Sequence, residues 1–215
     1  MSIAESVSPD RAVVLHDIPW ETYVALRDMP ENENIRMTYD HGELEIMSPS
    51  PLHEGIAAML GTLIDVWTIE LNIGMKSCRM MTIRRAELKR GFEPDNCYYI
   101  QNEPRVWDKT ELDFSVDPPP DLAIEVETSR SGVRKMKIYA SFGIPELWRV
   151  DRHGLRVYEL STAGEYVPRE TSLCLPGFPV AKAQEILLQL GSVRQTTVVR
   201  SFRDWVRENV RTGDR

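Results

Sequence analysis

The longest regular pattern in the chain lies over residues 50–71. Ile56, Met59, Leu60, Leu63, Ile64, Trp67 and Leu71 recur with the 3.6-residue period of a helix that buries one face. Ser50 has the chemistry of an N-cap, Pro51 fits the first helical position, and Asn72-Ile73-Gly74 supplies the stop. Upstream, Pro19-Trp20 opens a shorter helix that runs to Asp28, before Pro30 and a polar run end it. Residues 37–39 and 43–47 read as two short strands around the hairpin turn Asp40-His41-Gly42. Further strands are expected over 77–84, 95–100, 122–127, 146–150 and 155–160, the last two joined by Arg152-His153-Gly154. A helix over 131–142 separates the third of these from the fourth, and later helices are expected over 181–190 and 201–210. Hairpins followed by a strand–helix–strand unit define an α/β (α+β) chain with a mixed central β-sheet flanked by helices. With no repeat or linker visible, residues 13–211 read as one domain and 1–12 as a flexible N-terminal segment.

Composition narrows the classes. The chain has 215 residues, 42% of them hydrophobic, which suffices for one core without disulfide staples. The longest mostly apolar stretch, 56–67, contains Asp65, and a membrane-spanning helix needs about 20 apolar residues. The first twenty residues carry Glu5, Asp10 and Asp17 and lack the apolar run of a secretory signal. Cys78, Cys97 and Cys174 are odd in number and show no CxxC spacing. This is expected of reduced thiols in the cytoplasm and excludes a cysteine zinc site.

The net charge of −7 is unevenly spread. Residues 1–54 hold eleven acids against three Lys and Arg, whereas 76–90 hold six bases against Glu87, and 130–137 hold four bases and no acid. Solvated faces are the usual explanation of such runs, and phosphate contacts are the sharper one. An acidic chain with basic stretches suits weak or transient contact with DNA through a narrow cleft.

The candidate chemistry centres on residues 118–150. In a strand over 122–127, Leu122, Ile124 and Val126 share one face, and Asp121, Ala123, Glu125 and Glu127 share the other. Two carboxylates on one face of a strand either line a solvated edge or pair with cations. Glu125 and Glu127 would lie roughly 6.6 Å apart, within reach of one hydrated Mg²⁺. Pro94-Asp95 opens a strand thirty residues upstream, where Asp95 can converge with Glu125. Lys135 shares a helical stripe with Ile138, Tyr139 and Phe142. From spacing alone it either reaches back over the strand end or snorkels past Tyr139. His53, in the first turn of the long helix, fits a cap or packing role, with a place beside a metal as the sharper reading. Glu43 and Glu45 share a strand face that reads as solvated.

Taken together, several segments resemble the Uma-two endonuclease family of the PD-(D/E)XK nuclease superfamily. They are Tyr39-Asp40-His41-Gly42-Glu43-Leu44, then Met47-Ser48-Pro49 with His53, then Pro94-Asp95 and Pro120-Asp121-Leu122-Ala123-Ile124-Glu125-Val126. Lys135 with Tyr139-Ala140 follows, then Gly143-Ile144-Pro145-Glu146-Leu147-Trp148. Each motif is loose, and their order and spacing carry the resemblance. It implies a restriction-endonuclease-like fold and metal-dependent hydrolysis of phosphodiester bonds in DNA. Asp95 matches the acid of the PD motif and Glu125 the acid of (D/E)xK. Glu127 stands at the usual Lys position, and Lys135 matches the lysine that family members carry on the next helix. Thr128-Ser129-Arg130 stand in place of the family's Ser-Pro-Ser run.

The resemblance implies Mg²⁺, with Mn²⁺ able to substitute, held by Asp95, Glu125 and the Val126 carbonyl. Glu127 would be a ligand or a water-positioning group, and Lys135 would stabilise phosphate charge. Glu43 and His53 would be accessory, and Arg84, Arg85, Arg130 and Arg134 would contact phosphates. Cleavage of both strands would favour a homodimer. Neither GxGxxG nor a P-loop occurs, so no nucleotide cofactor is expected, and the histidines lack zinc-hydrolase spacing. The competing expectation is a catalytically degenerate module of the same fold, acting in protein interaction or nucleic-acid binding.

Overall fold

A computed structural model describes residues 10–33, 35–128 and 133–210. Helix α2 (Pro51–Glu70) follows the pattern predicted for it. The Ser50 hydroxyl accepts from the His53 backbone N–H, Pro51 takes the first position, and Ile56, Met59, Leu60, Leu63, Ile64 and Trp67 are buried. Helix α1 (Trp20–Arg27) precedes it.

The strands form two sheets. In the first, β1 (Arg11–Leu15), β2 (Arg36–Asp40), β3 (Glu43–Ser48), β5 (Ile83–Arg85) and β6 (Arg90–Phe92) pair antiparallel in the order β1-β3-β2-β6-β5, with β4 (Lys76–Ser77) falling in the other sheet. The second sheet also contains β7 (Asn96–Tyr99), β8 (Leu122–Val126), β9 (Glu146–Asp151), β10 (Gly154–Leu160) and β11 (Tyr166–Arg169), in the order β11-β10-β9-β8-β7-β4. It is mixed: β8 runs parallel to β9 and antiparallel to β7. The short helix α3 (Glu103–Val106) lies between β7 and β8, and the crossover from β8 to β9 carries α4 (Lys135–Ser141). Helices α5 (Val180–Leu187) and α6 (Gln195–Asn209) end the described chain.

Strand alternation sorts the core into layers. Leu122, Ile124 and Val126 of β8 pack with α2, α5 and α6 on one face of the mixed sheet. Ala123 of β8 faces the other way, into a cluster with Ile138, Tyr139 and Phe142 of the α4 region and Ile83 and Phe92 of the antiparallel sheet. A third cluster, Tyr23, Met37, Tyr39 and Leu44, joins α1 to the antiparallel sheet. That sheet therefore turns Leu44 toward α1 and its alternate residues, Arg36 and Glu45, the opposite way.

Three sequence expectations change. Arg11 and Ala12 belong to β1, and Asp10 is buried, so the ordered fold begins before residue 13; residues 1–9 lie outside the described residues. The strand expected over 77–84 is two strands, because a turn at Arg79-Met80, with Arg79 at positive φ, breaks it. β6 and β11 were not foreseen, being three and four residues long and without a sustained alternation. Among the described residues no helix is long and apolar enough to cross a membrane.

Candidate active site

The end of β8 gathers acidic side chains from three elements. Asp95 directly precedes β7, and two backbone bonds fix it against β8: its own N–H donates to Ile124 O at 3.1 Å, and its Oδ2 accepts from Val126 N–H at 2.6 Å. Its Oδ1 accepts from Arg36 Nη1 at 2.5 Å and from His53 Nε2 at 2.8 Å. Glu125 shares the Ala123 face of β8. Its Oε1 accepts from Lys135 Nζ at 2.5 Å and its Oε2 from the Tyr139 hydroxyl at 2.5 Å. Lys135 and Tyr139 are one helical turn apart on α4, so a single helix face supplies both donors. Lys135 Nζ also lies 3.6 Å from Glu45 Oε1, which brings a third carboxylate, from β3, into the cluster. Asp95, Glu125, Lys135, His53, Arg36 and Glu45 are all buried.

A second layer surrounds this one. His53 Nδ1 lies 3.0 Å from Asp10 Oδ2, so the imidazole bridges two carboxylates. Arg36 Nη2 donates to Glu54 Oε1 at 2.6 Å. Burial opposes a charge on His53, but the bonds to Asp10 and Asp95 outweigh it and push its pKa up to about 9. With a carboxylate on each ring nitrogen, both nitrogens donate and His53 is an imidazolium.

The two central carboxyls are driven apart. Burial would raise the pKa of Asp95, but the His53 bond and the charges of His53, Arg36 and Lys135 prevail and lower it. Glu125 is raised, by burial first and by the Asp95 charge, against the pull of Lys135. Burial works against the Lys135 ammonium too, yet Glu125, Asp95 and Glu45 hold its pKa well above the ordinary value. Lys135 is therefore a cation, suited to stabilising negative charge and not to accepting a proton.

The predicted site residues divide. Asp95, Glu125, Lys135 and His53 come together. Val126 meets Asp95 through its N–H. Glu127 is not in this hydrogen-bonded group: it lies past the end of β8 and pairs with Arg149 Nη2 at 2.5 Å. Glu43 is exposed near His16, and the buried glutamate of β3 is Glu45, which the sequence had suggested was solvated. Arg84 pairs with Asp28 at the surface, and Arg85 donates to Phe114 O and lies over the Phe142 ring. Arg134 is exposed beside Lys135, and Arg130 lies outside the described residues. Arg36, Glu45 and Asp10 were missed. A buried Arg at the start of a strand carries no sequence signal, and the alternation that put Glu43 and Glu45 on one face could not say which would be covered.

Among the described residues, no three of His, Cys, Asp and Glu are grouped to hold a metal ion. Mg²⁺ commonly needs only one or two carboxylates, with water and substrate phosphate completing its shell. Asp95 and Glu125 are hard oxygen donors of that kind; an ion would compete there with Arg36, His53 and Lys135. The donor chemistry fits a hard divalent cation.

A mixed sheet flanked by helices, with an acidic cluster at the end of its parallel strand β8, is a restriction-endonuclease-like fold. Residues 20–195 match the Uma2 family, described as putative restriction endonuclease, and the chain belongs to that family. The fold is also that of a solved protein from Anabaena variabilis ATCC 29413, described as a putative nuclease belonging to DUF820. It is 16% identical with a TM-score of 0.50, over 86% of this chain and 99% of that one. No curated protein matches the chain.

Proposed function

We propose that this protein is a metal-dependent endonuclease that hydrolyses phosphodiester bonds in DNA, with Asp95, Glu125 and Lys135 at its centre. One observation carries the reading: Lys135 Nζ lies 2.5 Å from Glu125, which shares the end of β8 with Asp95. Asp95 and Glu125 would hold Mg²⁺ or Mn²⁺. The chemistry such an ion would supply there is polarisation of a phosphoryl oxygen and acidification of water.

The chain's own groups do the rest. Arg36 and His53 keep the Asp95 carboxylate anionic and oriented. The Tyr139 hydroxyl fixes one oxygen of Glu125 and leaves the other to Lys135. The Lys135 ammonium, drawn toward both Glu125 and Glu45, supplies positive charge beside the position of the phosphate. Arg134, exposed next to Lys135, would contact the nucleic-acid backbone.

A second reading, a degenerate module that binds without turnover, is favoured by a specific feature. Asp95 already takes three donors and Glu125 two, so the cluster is neutralised by its own cations. One paired experiment separates the readings: oligonucleotide cleavage in Mg²⁺, Mn²⁺ or EDTA, together with the melting temperature in Mn²⁺, for wild type and Glu125→Gln. The endonuclease reading expects metal-dependent cleavage and a Mn²⁺-induced rise in melting temperature, both abolished in the variant. Absence of both in the folded wild type would favour the degenerate module.

A further inference from the structure

Asp10 lies outside the span that matches the family and sits immediately before β1. β1 itself buries little: Arg11, Ala12, Val13 and Leu15 are exposed. Yet the Asp10 side chain is only 2% exposed, and both its oxygens are committed. Oδ1 accepts from the Ser50 backbone N–H at 2.7 Å. Oδ2 meets His53 Nδ1 at 3.0 Å and accepts from the Thr128 hydroxyl at 2.5 Å. One carboxylate thus joins the entry of α2, the segment just past Glu127, and a histidine whose other nitrogen lies 2.8 Å from Asp95. The β1–β3 ladder explains how Asp10 arrives there, because pairing Arg11 with Ser48 sets the preceding residue beside Pro49-Ser50.

We propose that Asp10 is a positioning residue for the metal-binding centre, acting through His53 to fix the orientation of the Asp95 carboxylate. A carboxylate behind a histidine fixes the ring's rotation and the direction of its other N–H. Here that N–H points at Asp95 Oδ1, while Arg36 and Val126 N–H hold the same carboxylate from two other sides. Without Asp10 the imidazole loses the partner that sets its tilt, and Asp95 loses one of three restraints. The inference rests on the endonuclease reading only in taking Asp95 as a metal ligand.

The test is Mn²⁺ affinity by titration calorimetry on the full chain, for wild type, Asp10→Ala, His53→Gln and the double variant. Melting temperatures in EDTA confirm folding. The Gln amide can still donate to Asp95 without depending on Asp10. Asp10 stands one residue beyond the direct partner of a metal ligand, whose loss usually costs about 10- to 100-fold, so Asp10→Ala is expected to weaken Mn²⁺ binding by about 10-fold, the lower end of that range. In the His53→Gln background the same substitution should change affinity by less than about twofold, since coupled residues are not additive. Asp10→Asn, which keeps an oxygen for the Ser50 N–H and puts an uncharged amide where Oδ2 meets His53 and Thr128, serves should the alanine variant not fold, with the same direction expected. Wild-type affinity in folded Asp10→Ala, or an equal loss with and without His53, would overturn the positioning role and leave the endonuclease reading intact. A wild type that binds no Mn²⁺ would overturn both.

Discussion

A buried carboxylate stays ionised only if donors surround it, and at Asp95 the donors can be named: Arg36, His53 and the Val126 N–H. The price of this arrangement is a second buried charge on His53, sustained by Asp10. That gives a pH signature. The folded pKa of His53, about 9, lies above its ordinary 6.5. Its contribution to stability is therefore complete below pH 6.5 and is lost as pH rises toward 9. In EDTA, the wild-type melting temperature should fall across that interval, and the slope should flatten in His53→Gln. An unchanged slope in the variant would show that other groups set the dependence. At this scale the sequence was partly legible. The stripe Lys135, Ile138, Tyr139 left open whether Lys135 reaches over the strand end or snorkels past Tyr139, and the structure brings its Nζ to Glu125; Pro94-Asp95 marked a candidate acid. Glu45 and Arg36 were not legible, because their burial depends on how the antiparallel sheet packs onto α4, which no local pattern records.

The elements read more clearly than their partners. α2 begins and ends within a residue of where Ser50, Pro51 and the 3.6-residue period put it, and β8, β9 and β10 fall within a residue of expectation at each end. What failed was the recognition of short strands. β6 has three residues, and its membership in a sheet comes from pairing with β2 and β5 rather than from alternation. Its glycine has a packing reason. A Cβ on Gly91 would collide with the Tyr23 hydroxyl and lie 2.8 Å from Tyr23 Cζ, and Tyr23 is wholly buried, stacked on Tyr39 with ring centroids 4.9 Å apart. Gly91→Ala should therefore destabilise the protein by about 1–3 kcal/mol, the usual cost of overpacking a filled core. Chemical denaturation would measure it. A variant as stable as wild type would mean that Tyr23 can move aside freely. β6 also supplies Phe92 against Tyr139, at 4.5 Å between rings, which ties the antiparallel sheet to the helix that carries Lys135.

At the scale of the whole molecule, the sequence pointed to one mixed sheet flanked by helices. The structure keeps that sheet and adds an antiparallel one whose Arg36 and Glu45 complete the cluster at the end of β8. The division into two sheets was hidden because the hairpin of β2 and β3 has the same alternation whichever sheet it joins. The site is thus assembled from distant parts of the chain: the segment before β1, two strands of the antiparallel sheet, the start of α2, the β7–β8 pair and α4. The resemblance highlighted the start of α2 through His53, the β7–β8 pair and α4, and touched the β2–β3 hairpin without marking Arg36 or Glu45; Asp10 lay outside it. The central claim is that Lys135, reaching from α4 to Glu125, supplies the positive charge that the position of Glu127 does not. Nicking of supercoiled plasmid in Mn²⁺ by folded wild-type and Lys135→Ala protein tests it most directly. Metal-dependent nicking by wild type, reduced about 100-fold or more in the variant, is the result expected from removing a charge that stabilises the transition state. Equal nicking by the two proteins would contradict the assignment of Lys135 to the active centre.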